Sequence, residues 1–112
     1  MLDRAATLAI SLALGLTAWP AAADGPSSAR QQELLHLLRH DCGSCHGMTL
    51  KGGLGPPLRP ERLVGRSDEE LVTTIMQGVP DTPMPPWGVE LERREVEWLV
   101  RQLKTGLDDG AR

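Results

Sequence analysis

Five consecutive residues, Cys42-Gly43-Ser44-Cys45-His46, constrain this chain more than any other stretch in it. Two thiols three residues apart on one helical turn point the same way, and the next residue adds an imidazole. The pattern C-x-x-C-H is that of a c-type haem attachment site. Each thiol can form a thioether with one vinyl group of the same porphyrin, and the histidine can reach the iron. C-x-x-C alone also serves as a thioredoxin-like redox pair, half a zinc site or a disulfide. The adjoining His46 narrows that choice towards haem. A zinc site would need more clustered ligands, and these are the only 2 cysteines. His36 and His40, four apart on an expected helix, read as solvated residues rather than as the missing pair.

The N-terminal stretch gives the motif its setting. Met1–Arg4 is a short region with one basic residue, Ala5–Ala18 is mostly apolar, Pro20 breaks it, and Ala21-Ala22-Ala23 supplies an A-x-A pattern. This reads as a secretory signal peptide, residues 1–23, followed by one domain, 24–112, with a periplasmic destination. The alternative is an uncleaved anchor, but the apolar run is short for a hydrocarbon layer of about 30 Å. No later segment is apolar enough to cross a membrane, so no stable insertion is expected after cleavage. In an oxidising compartment two free thiols would pair as a disulfide; haem attachment consumes them instead.

Composition enters at this point. From Asp24 onward there is no Phe or Tyr, and Trp87 and Trp98 are the only aromatic residues. A small domain so short of large apolar side chains commonly needs a staple, and a buried porphyrin would supply the bulk. The formal net charge of −3 gives no case for a nucleic-acid partner. A monomer is expected.

Ser28 with Gln31 has the form of a capping box, and a helix is expected over 29–41 with Leu34, Leu35, Leu37 and Leu38 on its apolar face. The motif sits at its C-terminal end, where Gly43 and Gly47 allow a turn away. Residues 47–60 read as loop, loosened by Gly52, Gly53 and Gly55 and stiffened by Pro56, Pro57 and Pro60. A ligating histidine normally donates its second N–H to a carbonyl or carboxylate, and Gly55-Pro56-Pro57-Leu58 is well placed for that role. One helical turn is expected at 60–64. Ser67-Asp68-Glu69-Glu70 opens a helix to about Gln77, with Gly78 closing it. Leu71, Val72, Ile75 and Met76 form its buried face, which makes Met76 core rather than ligand.

The proline-rich stretch Val79–Gly88 cannot be a helix or a central strand. It reads as a rigid loop presenting Met84, whose flanking prolines limit the entropy lost in forming a weak iron–thioether bond. Met48 lies too near His46 in sequence to reach the opposite ring face. His46 and Met84 are therefore the expected iron ligands. A last amphipathic helix is expected over 91–104, with Val96, Leu99, Val100 and Leu103 inside and an outer Glu97–Arg101 pair.

Taken in this order, the residues resemble the class I monohaem cytochromes c. The resemblance spans essentially all of the chain after the signal. Within that family, the stretches 41–58 and 82–87 look like the small NirC-type cytochromes (cytochrome c55X) found with cytochrome cd1 nitrite reductases. The resemblance implies a compact all-α fold of about three to four main helices around one covalent haem c. It implies Cys42 and Cys45 as attachment points, His46 and Met84 as ligands, and the Pro56 carbonyl as acceptor from His46, with Leu58 beside the cofactor. One departure is visible: Gln102 stands where the family often has an aromatic residue, and the nearby aromatic is Trp98.

The expected function is single-electron transfer to a redox protein partner, by resemblance the nitrite reductase. Lys51, Arg59, Arg62 and Arg66 are candidates for a basic docking patch, against a reading as scattered solvated charges. The second reading is a factor for maturing the reductase or its haem d1. A third is an enzyme: a haem protein that displaces Met84, or a thiol oxidoreductase, which would want a βαβ pattern this chain lacks.

Overall fold

A computed structural model gives the structure of residues 25–107. The expected signal peptide and the last residues of the tail lie outside the described residues. Five α-helices follow in order: α1 Ser28–Leu37, α2 Gly43–His46, α3 Pro60–Leu63, α4 Asp68–Gln77 and α5 Arg93–Thr105. No strand occurs among the described residues, so the all-α expectation holds, with α1, α4 and α5 as the main helices.

The first helix differs from expectation at both ends. Its cap is Ser27, not Ser28, and the Ser27 hydroxyl accepts from the Arg30 amide at 3.3 Å. Gln31 instead donates to the Pro26 carbonyl at 3.0 Å. At its far end α1 passes into a π-helical turn, Leu38–Cys42, where the Gly43 amide reaches back five residues to Leu38. The helix thus runs through the cysteine motif in a wider turn. Gly43 is helical and buried rather than a turning point, and the chain turns only at Gly47, with φ 89°.

The core forms where α5 meets the other helices. Its buried side is Val96, Trp98, Leu99, Val100 and Leu103, packed with Leu34 and Leu38 of the first helical run and Leu71 and Val72 of α4. α4 and α3 both pack on α5, and α1 crosses it. Trp98 is buried, while Gln102 is half-buried. The aromatic bulk at this crossing therefore comes from one turn earlier in α5. Helix α5 starts at Arg93, two residues later than expected, because Glu92 and Glu95 form a reciprocal capping box. At α4 only half of the expected box forms. Ser67 accepts from the Glu70 amide at 3.1 Å, but the Glu70 carboxylate turns to Arg66. Glu97 pairs with Arg93 rather than Arg101.

An ion pair ties the first helix to the last. Glu95 is 8 % exposed. It accepts from Arg30 of α1 at 2.6 Å and, through its other oxygen, from the Glu92 amide at 2.9 Å. The Arg30 hydrogen bond, opposed by burial, holds its carboxyl below the usual range. A depressed folded-state value means that Glu95 stabilises the fold above the unfolded value of about 4.3, and that this contribution fades as pH falls through the folded value. Glu95→Gln is expected to lower Tm by roughly 5–10 °C at pH 7. The difference from the parent chain should begin to narrow below about pH 4 and continue to shrink towards the depressed folded value. Melting curves at pH 3 to 7 check this, and a difference that stays constant across that range would overturn it.

Candidate haem site

The π turn and helix α2 deliver Cys42, Cys45 and His46 to one cavity, and the loop after them fixes the imidazole. Loop 47–58 folds back on the helix that precedes it. The Gly52 amide donates to the His46 carbonyl at 2.8 Å, and the Gly55 amide to the Cys45 carbonyl at 2.8 Å. The approach is so close that a Cβ on Gly55 would lie 2.7 Å from His46 Cε1. His46 Nδ1 stands 2.7 Å from the Pro56 carbonyl oxygen, so Nδ1–H donates to it and Nε2 is left to face the cavity. Leu50 adopts φ 60° within this loop. Its side chain is buried, and its carbonyl accepts from the Leu58 amide at 2.9 Å, which offset the left-handed strain. Leu58 is half-buried and lines the cavity.

The loop Val79–Trp87 forms another part of the cavity wall. It is cross-tied by the Val79 amide to the Met84 carbonyl at 3.2 Å and by the Thr82 hydroxyl to the Val79 carbonyl at 2.7 Å. Met84 reaches the cavity wall, whereas Met76 packs against the core and does not line the cavity. The cavity measures about 850 Å³, and its walls are mainly aliphatic, from Leu38, Leu63, Leu71, Ile75, Leu99 and Leu103. That is within the range of roughly 300–1,000 Å³ usual for cofactor sites.

These features coincide with the similarities to known proteins. Residues 29–101 match the family model described as Cytochrome C oxidase, cbb3-type, subunit III. The Cytochrome c55X of Pseudomonas aeruginosa is 51% identical over 107 residues, covering 92% of this chain and 90% of the relative. The solved structure of a c-type cytochrome NirC superposes with TM-score 0.71 at 53% identity, covering 72% of this chain and 95% of that one. The chain belongs to the NirC-type monohaem cytochromes c. It also matches a Dihydro-heme d1 dehydrogenase of Pseudomonas aeruginosa at 34% identity, over 84% of this chain but 18% of that longer protein.

As a cytochrome c, the chain is an electron-transfer protein whose cofactor is covalent haem c, and the site fits that group. Both cysteines are free thiols on the cavity wall, with the imidazole beside them and apolar walls beyond. Burial, aided by the Asp41 carboxylate, pushes the Cys42 thiol up to about 11.

Of the four basic residues considered as a docking patch, Arg59 pairs with Glu61 at 3.6 Å and Arg66 with Glu70 at 2.9 Å. Lys51, Arg59 and Arg62 share one surface notch with Glu61, and Arg62 also lines the main cavity, as Arg66 does. His36 and His40 bring their rings to 4.2 Å on an exposed face, and no cluster of three or more metal-ligating groups occurs among the described residues. Sequence reading missed Leu50 and Leu91, both buried outside helices. Single apolar residues in irregular segments carry no periodic signal.

Proposed function

We propose that this cytochrome is an exported, periplasmic one-electron carrier, with Cys42 and Cys45 holding the haem and His46 and Met84 ligating its iron. The observation that carries this reading is the convergence of His46 and Met84 on one apolar cavity, with Pro56 orienting the imidazole. The haem, when bound, supplies one-electron iron chemistry tuned by its ligands and burial. Two protein ligands leave no open position for a substrate, so the chain's own residues hold, orient and desolvate. Leu58 and the aliphatic walls exclude water. No helix among the described residues is long and apolar enough to cross a membrane. The names NirC and Cytochrome c55X, with the resemblance to cytochromes found beside cytochrome cd1 nitrite reductase, make that reductase the proposed acceptor.

An optical spectrum of the exported protein tests the site. The expected result is a c-type pyridine haemochrome, a sharp reduced α band and a weak far-red band when oxidised. Haem without the far-red band would remove Met84 from the reading. No haem after expression with a working attachment system would remove the haem site altogether.

The match to a Dihydro-heme d1 dehydrogenase favours a second reading, service in haem d1 maturation. A deletion strain separates the two. Intact haem d1 with slowed nitrite reduction supports the carrier, and absent haem d1 supports maturation.

A further inference from the structure

Two glycines clasp the Met84 loop to the end of α4. Gly78, which closes α4, has φ 69° and ψ −174°, a region essentially reserved for glycine. A Cβ there would lie 2.7 Å from the Met84 carbonyl oxygen, and 2.8 Å from both Pro85 C and Pro86 N. All three are backbone atoms, which cannot swing aside as the tip of a side chain does. Gly88 makes the reverse approach, since a Cβ there would lie 2.9 Å from the Met76 carbonyl oxygen. The loop therefore rests on the last turn of α4 at both of its feet. Thr82 and Val79 cross-tie the segment between. Gly65 offers a contrast, with open space where its Cβ would be.

We propose that Gly78 and Gly88 are positioning residues for the iron's methionine ligand: their missing side chains let the loop close on α4 and so hold Met84 over the haem. The inference rests on Met84 as that ligand. Neither glycine lines the cavity, so both act through the loop. A methyl group at either site forces the two backbones apart, and a long, weak iron–thioether bond loses more from such a shift than the covalent thioethers or His46 do. Met84 then leaves the iron more often. An added ligand that competes for that position binds more tightly in proportion to the open fraction.

The test uses purified haem-loaded protein and free imidazole as the probe. Gly78→Ala and Gly88→Ala are expected to keep helical circular dichroism and attached haem. They should lose half or more of the far-red band and bind imidazole roughly tenfold tighter. Gly65→Ala should match the parent. Met84→Ala serves as the reference for complete loss of the band. Parental band and parental imidazole affinity in both glycine variants, with the band gone in Met84→Ala, would overturn the clasp and leave the ligand in place. Glycine variants that fail to hold haem while Met84→Ala holds it would also overturn it, because the glycines would then serve the whole fold. A band that survives in Met84→Ala refutes the ligand itself, and the clasp with it.

Discussion

Replacing Cys42 and Cys45 together by alanine is expected to leave a chain that neither retains haem nor folds cooperatively. The helices of this domain pack on α5 but also wall a large apolar cavity. Without the cofactor, the apolar walls of a cavity of about 850 Å³ are left facing water. The aliphatic side chains on either wall cannot close the gap, and no Phe or Tyr exists to fill it. The double variant should therefore lose most helical circular dichroism and show no thermal transition, whereas either single variant keeps one thioether and an intermediate Tm. A cooperative melt in the haem-free double variant would show that the apolar residues suffice by themselves.

Met84→Ala is expected to leave the fold and haem attachment intact while lowering the reduction potential by on the order of 100 mV or more. A thioether favours the reduced iron, and its removal leaves water or an added ligand in its place. The variant should lose the far-red band and bind carbon monoxide when reduced. A spectropotentiometric titration reads the potential directly. An unchanged potential would move the sixth ligand elsewhere, and Met76 is a poor substitute because it packs on the core away from the cavity. The spacing of Met84 within a rigid proline-rich loop carried this expectation before any fold was known, since ligand chemistry and chain stiffness are local properties.

Legibility followed the range of each interaction. The five-residue motif, the Pro56 acceptor and the helix identities were readable because each depends on neighbours within a turn or a short loop. His46 Nδ1 to Pro56 spans ten residues and was still inferable from ligand chemistry. Cap positions were readable only to within one or two residues: Ser27 and Ser28 are equivalent as sequence, and packing selects between them. The expected Glu97–Arg101 pair gave way to Glu97–Arg93, since Arg93 also reaches Glu69 of α4. The π turn at Leu38–Cys42 had no sequence signal that could have found it.

By itself, then, the sequence determined the helical class, the cysteine and histidine motif and the family, because covalent spacing and short-range periodicity encode them. Only the tertiary structure decided that Glu95 would meet Arg30 across 65 residues, that Gly78 would lie under the Met84 loop, and that Arg93 would reach Glu69 of α4. The physical reason is common to all three. Such contacts depend on how whole helices are placed around a shared cavity, and that placement is set by collective burial, which no local pattern of residues records.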